Sequence, residues 1–243
     1  MKTLLYTVSD FKDGSIECID MMLSHIDGEF DFAIISDKDC DCGHKVYVDD
    51  SCGNYIGFLK YSDQIPEGYD QYIYLDSDIL FFGDLGLLFD DRPLSITQES
   101  KLMNAPCEQG RYWFKYPFDI TQGYSDKISH FFGINAGSFA FKNIEFLARV
   151  RKLFENCKSQ SVMENAILEQ SSFNYAVLQE TRFDLNKALN FTYLTVFDAH
   201  KNCFTAFRKL YHFCGFENAM FGKKQKMEKF LNENKNRITE VLK

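Results

Sequence analysis

Between Lys2 and Asp78, short apolar runs alternate with stretches of helical period, and no other feature restricts the fold as much. Lys2–Val8 (KTLLYTV), Phe30–Ser36 (FDFAIIS), Lys45–Val48 and Tyr69–Leu75 (YDQYIYL) have the length and the apolar, β-branched and aromatic content of strands. Ser15, followed by Ile16, Ile19 and Leu23, predicts a capped amphipathic helix, and Asn54–Tyr61 a second helix. Strands separated by helices pair in parallel, and their helices cover the sheet. The expected fold class is therefore α/β: one Rossmann-like domain with a mostly parallel central sheet flanked by helices.

The rest of the chain extends this pattern less regularly. Arg92–Thr97 and Gly137–Phe141 read as strands, and Ile144–Phe154 and Met163–Leu178 as helices. Asn104–Ser129 mixes Gly, Pro and aromatics without a period, which predicts a long loop over the site. Lys223–Leu242 predicts an amphipathic helix with Met227, Phe230, Leu231, Ile238 and Val241 on its apolar stripe. The sequence thus divides into a domain over 1–221 and a basic C-terminal helix over 222–243.

Composition bounds the partners. The 243 residues are 45% apolar, enough for a full core, and most of the 25 Phe and 13 Tyr are expected inside it. A net charge of -8 argues against a nucleic-acid backbone as partner. The exception is the tail from Gly222, where seven Lys/Arg face three Glu. Its stripe can pack on the domain or dock on an anionic membrane surface, so peripheral membrane contact through 222–243 stays open. No signal peptide or membrane-length apolar run is evident, so a cytoplasmic enzyme of bacterial or viral origin is expected. The eight Cys are then expected as free thiols. Asp39–His44 (DCDCGH) lacks a second Cys pair at zinc spacing and reads as a surface loop.

The strongest chemical signal is Asp76-Ser77-Asp78, set directly after the apolar run Tyr69–Leu75. In open α/β sheets ligands gather beyond the carboxyl ends of strands. Two carboxylates in one turn there suit Mn²⁺ or Mg²⁺, which take few protein ligands and complete their shell with phosphate oxygens and water. A solvated turn is the bland alternative for this tripeptide taken alone.

Four segments together carry a resemblance: Tyr72–Gly83 (YIYLDSDILFFG), Phe132–Phe141 (FGINAGSFAF), Glu169–Asn174 (EQSSFN) and Tyr211–Gly215 (YHFCG). In this order they resemble glycosyltransferase family 8, the group of glycogenin and the lipopolysaccharide galactosyltransferases, over roughly Met1 to Gly215. The resemblance implies a GT-A fold and metal-dependent sugar transfer, with retained anomeric configuration, from a nucleotide-sugar donor, a UDP-sugar. The acceptor hydroxyl would belong to a glycan, a lipid-linked sugar or a protein. Asp76, Asp78 and His212 match the family's metal ligands, and Ser77 lies between the two aspartates. Asn135, Ala136 and Gly137 match the segment along the donor sugar, although Gly137 also fits a tight turn. Gln170 matches the amide beside the anomeric carbon, Glu169 the acidic residue before it, and Asn174 the end of that motif.

Thr7, Ser9 and Asp10 fall where the family's first strand meets base and ribose. Lys60 lies near a donor-contacting basic position, or is a solvated surface lysine. Two departures stand out. The family's Asp-Gln is Glu169-Gln170 here, and the expected lysine after the histidine is Asn218, leaving Lys223 or Lys224 as substitutes. Glu169 could also act as the base of an inverting enzyme. Two other activities compete: a nucleotidyltransferase, for which TVSDFKDG lacks a phosphate cradle, and an inactive sugar-binding protein of the same fold, which Asn218 favours.

Overall fold

The computed structural model describes residues 1–48, 57–59, 62–103, 130–158, 165–190, 194–196, 210–213 and 220–241. Seven strands form the main sheet: β1 (Thr3–Val8), β3 (Asp31–Ser36), β4 (Val46–Val48), β5 (Gln71–Leu75), β8 (Leu94–Leu102), β9 (Phe132–Phe141) and β10 (Leu189–Asn190). Their order is β10-β8-β9-β5-β1-β3-β4. The β5-β1-β3-β4 half is parallel, as the strand–helix alternation predicts. β9 runs antiparallel to both β5 and β8, whereas β10 is parallel to β8.

Two small sheets complete the set. β2 (Ile26–Asp27) pairs with β7 (Gly83–Asp84), and β6 (Ile79–Phe81) lies beside β12 (Leu210–His212), itself beside β11 (Leu194–Val196). Four α-helices are described: α1 (Ser15–Leu23), α2 (Glu145–Lys158), α3 (Asn165–Glu180) and α4 (Met220–Val241).

The sheet is buried on both faces, and its strands show the two-residue period that this requires. Leu4, Tyr6, Tyr72, Tyr74, Phe139 and Phe141 pack on one side with Phe146, Val150 and Phe154 of α2 and Phe173 and Val177 of α3. Leu5, Ile73, Leu75 and Ala140, the alternate residues, pack on the other side with Ile19 and Met22 of α1. The aromatic surplus collects on the first side: Phe139 lies 4.6 Å from Phe173, and Tyr72 stacks on Phe141 at 5.1 Å.

A third cluster joins α1, β6, β12 and α4 through Cys18, Leu80, Phe82, Tyr211, Phe213, Met227, Phe230 and Ile238. The apolar stripe expected on the C-terminal helix therefore faces protein along Met227, Phe230 and Ile238.

Three sequence expectations are corrected. Ser15 does not cap α1: Gly14, in the left-handed region at φ 89, is the capping residue and makes no side-chain bond, while Ser15 is buried. β9 begins at Phe132, five residues before the expected strand, because Gly and Asn in FGINAG are held in the sheet by cross-strand and helix contacts. Of Asn54–Tyr61, the described part, Gly57–Leu59, is a 3-10 turn. The expected loop Asn104–Ser129 lies outside the described residues.

Candidate active site

β5 ends at Leu75, and the chain turns through Asp76, Ser77 and Asp78 before re-entering the core as β6. Buried apolar residues on both sides fix this turn: Leu75 and Ile79 are 1% and 0% exposed. Its backbone is tied down by Asp76 N–H donating to Gly137 C=O (2.7 Å) and Ile79 N–H donating to Asp76 C=O (3.1 Å).

His212 arrives through strand pairing. β12 runs antiparallel to β6 with His212 opposite Ile79, and Phe213 N–H donates to Asp78 C=O at 2.9 Å. Side chains alternate along a strand, so a slip of one residue would turn the imidazole away. In this register His212 Nε2 lies 3.3 Å from Asp76 Oδ2 and 3.3 Å from Asp78 Oδ1. The three prospective ligand atoms lie within 4.8 Å of one another. Asp78 and His212 are buried, whereas Asp76 is partly exposed, so the cluster opens on one side.

Gly137 closes another side by what it lacks. β9 bulges against β8 here: Thr97 is opposite Asn135 but Ile96 is opposite Phe139, so Ala136, Gly137 and Ser138 are extra. Bulges of this kind re-aim backbone next to functional sites. A Cβ on Gly137 would stand 2.5 Å from Asp76 Oδ2, 2.5 Å from His212 Cε1 and 2.9 Å from Asn135 Oδ1. The glycine therefore serves close approach within a strand, not a tight turn. Asn135 Oδ1 in turn accepts from Gly137 N–H at 2.8 Å.

α3 holds this strand from behind. Asn174, fully buried, accepts from Ile134 N–H (2.6 Å) and donates to Ile134 C=O (2.7 Å), as a neighbouring strand would. Gln170 donates to the same Ile134 carbonyl and accepts from Ala136 N–H at 3.3 Å. Its amide thus brackets Asn135. Glu169 turns the other way and accepts from Phe58 N–H at 3.0 Å. Gly57, at φ 52, leaves space for that carboxylate, because a Cβ there would lie 2.1 Å from Glu169 Oε1.

The electrostatics follow from burial and neighbours. Burial pushes Asp78 upward most strongly, but the His212 and Lys223 side chains together outweigh it and hold the carboxyl below its usual range. Burial, then the charge of Asp76, raises Glu169 well above an ordinary carboxylic acid, with partial relief from Phe58 N–H. Burial and Asp76 likewise raise the Tyr74 phenol, which donates to Asp76 Oδ1.

The β1 residues lie at the same carboxyl edge, since β1 is β5's parallel neighbour with Tyr6 opposite Tyr74. Thr7 is fully buried and, among the described residues, its hydroxyl has no partner. Ser9 Oγ accepts from Phe11 N–H at 3.1 Å, and Asp10 pairs with Lys12 at 2.6 Å. Lys60 and Asn218 lie outside the described residues. In the DCDCGH segment, His44 Nε2 lies 2.8 Å from Asp20 Oδ1, and its ring meets Phe32 edge-on.

Two contacts were missed or left open by sequence reasoning. Tyr74 holds Asp76, and its i, i+2 spacing on a strand was the available signal. Lys223, one of two open candidates, lies 2.5 Å from Asp78 Oδ2, while Lys224 pairs with Glu17 of α1 at 2.8 Å.

No family profile and no curated protein sequence matches the chain. Solved structures do. WbbM, a bifunctional glycosyltransferase in its apo form, aligns with a TM-score of 0.55 at 12% identity, over 99% of this chain and 51% of WbbM. The glycosyltransferase GlyE of Streptococcus pneumoniae TIGR4 aligns with a TM-score of 0.52 at 14% identity, over 97% of this chain and 64% of GlyE. The chain has the GT-A glycosyltransferase fold. It spans less than two thirds of either of these proteins. The GT-A fold places Asp76–Asp78 at the carboxyl end of a central strand, where open α/β sheets bind ligands.

Proposed function

We propose that this chain is a metal-dependent glycosyltransferase that moves a sugar from a nucleoside-diphosphate donor, a UDP-sugar, to an acceptor hydroxyl. The observation that carries the reading is the Asp76–Asp78–His212 cluster, gathered within 4.8 Å against the bare α-carbon of Gly137. Two carboxylates and an imidazole suit Mn²⁺ or Mg²⁺. A divalent cation held by these three side chains would supply positive charge to the diphosphate as its bond to the sugar breaks.

The protein's own groups have separate tasks. Tyr74 fixes Asp76 by occupying Oδ1, which leaves Oδ2 on the His212 side. Gln170 and Asn174 lock the Asn135–Gly137 segment, the stretch proposed to lie along the donor sugar. Thr7, Ser9 and Asp10, at the end of β1, are assigned to the base and ribose, and the Thr7 hydroxyl, without a partner among the described residues, supports that assignment. The acceptor oxygen bonds to the anomeric carbon as the diphosphate departs. In the retaining reading a departing phosphate oxygen takes the acceptor's proton.

A second reading has one observation in its favour. Glu169 lies near Asp76, and desolvation with that charge raises its pKa, so its carboxylate holds a proton more tightly than an ordinary one does. With Glu169 as proton acceptor the reaction would invert the anomeric centre. NMR of the product anomer decides: retention removes Glu169 as the base, and inversion removes the retaining mechanism.

The acceptor is a glycan, a lipid-linked sugar or a protein hydroxyl. Among the described residues no helix is long and apolar enough to cross a membrane. Because Met227, Phe230 and Ile238 are buried, α4 offers a membrane chiefly its charged face, and we assign it no insertion.

The test is donor turnover. Incubation with UDP-sugars and Mn²⁺ is expected to release UDP, and Asp76→Asn and Asp78→Asn are expected to reduce release to background while circular dichroism stays native. Release of pyrophosphate from UTP and a sugar 1-phosphate, supplied in a parallel incubation, would instead identify a nucleotidyltransferase. Neither release nor Mn²⁺ binding would leave an inactive sugar-binding protein.

A further inference from the structure

Asp78 is held by two side chains drawn from the C-terminal part of the chain, one of them the ammonium of Lys223. Its Oδ1 faces His212 Nε2 at 3.3 Å, and its Oδ2 meets Lys223 Nζ at 2.5 Å. The Asp78 side chain is only 4% exposed and that of Lys223 is 20% exposed. A carboxylate so deeply buried stays charged only with such compensation. Yet Asp78 is also a prospective metal ligand. An ammonium at hydrogen-bond distance from the same carboxylate would stand within a few ångströms of a dication, and at that range like charges repel strongly in a poorly solvated site.

We propose that Lys223 is the built-in counter-ion of the metal-free site, and that it and a divalent cation exclude each other on Asp78. This rests on the metal site assigned above. The arrangement suits exchange. Lysine carries its charge on a flexible four-carbon stem. Lys223 lies in the first turn of α4, and the adjacent Lys224 is tied to Glu17 of α1 at 2.8 Å. Met227 and Phe230, fixed in the core, anchor the next turns. Lys223 can therefore leave Asp78 while α4 stays docked. The metal-free site keeps its buried carboxylate neutralised, at the expense of affinity for the incoming cation.

Mn²⁺ alone is the probe, read by electron paramagnetic resonance of the free ion. Lys223→Met is expected to bind Mn²⁺ about tenfold more tightly than wild type, which corresponds to about 1.4 kcal/mol. Lys223→Arg, which keeps the charge, is expected to bind as wild type does, and so is Lys224→Met. The wild-type protein offers a second readout that needs no variant. Reductive methylation followed by mass spectrometry is expected to find Lys223 protected in EDTA and reactive in Mn²⁺, with Lys224 unchanged. Equal or weaker Mn²⁺ binding by Lys223→Met, or unaltered Lys223 reactivity when Mn²⁺ binds, overturns the inference and leaves the metal site standing. No Mn²⁺ binding by any of these proteins overturns both.

Discussion

Glu169 joins the surroundings of the site to a measurable property of the folded protein. Burial, with Asp76 nearby, raises its folded pKa, so the native state keeps a proton that the unfolded chain gives up near pH 4. The folded state then binds more protons than the unfolded state in the window above that pH, and stability must fall as pH rises through it. Glu169→Gln keeps an acceptor for Phe58 N–H but has no charge to bury. In chelator its melting temperature is expected to match wild type below about pH 4 and to exceed it increasingly as pH rises through that window. A constant offset at every pH would mean that Glu169 ionises as freely in the folded protein as in the unfolded one. At this scale the sequence revealed groups whose chemistry is local. Asp76 and Asp78 stand out because their spacing follows directly on an apolar run, although the tripeptide alone also fits a solvated turn. The work of Gly137 was hidden, because a glycine does not state which atoms need its missing side chain. The pairing of Lys223 with Asp78 depends on how α4 packs, and no local pattern encodes that.

Among elements, the junction of α3 and β9 carries the most consequence. Asn174 supplies three hydrogen bonds there, two to the backbone of Ile134 and one to the Gln170 carbonyl. Asn174→Ala would strand the Ile134 N–H inside the protein, and the loss expected in urea unfolding is about 2 kcal/mol. A change below about 0.5 kcal/mol would show that β9 holds its bulge without α3. The parallel strands were legible because a strand buried on both faces is a short, uninterrupted apolar run. β5 and β1 match their runs to within two residues at either end. The antiparallel insertion of β9 was not legible, since strand direction leaves no mark on a short run. β6 and β12 were equally opaque: three residues each, they pair only with distant partners.

At the level of the molecule, the site depends on the core behind β12. Phe230 of α4 lies 4.6 Å from Tyr211 and 5.7 Å from Phe213, the two neighbours of His212 in sequence. Phe230→Ala is expected to cost about 3–4 kcal/mol in chemical unfolding and to weaken Mn²⁺ binding as β12 loosens. The exposed neighbour Lys229, changed to Ala, is expected to do neither. If Phe230→Ala left stability untouched, 222–243 would be an appendage, as the sequence division at 221 suggests; a loss of the expected size would make it part of the domain. The order of assembly has its own consequence. The two carboxylates precede the imidazole by more than half the length of the chain, and the strand that delivers the imidazole is clamped by a helix that follows it. During translation the acidic turn emerges from the ribosome long before its third partner exists. A nascent chain stalled between them holds two of the three proposed ligands, and the cluster closes only once His212 has emerged and found its place beside β6.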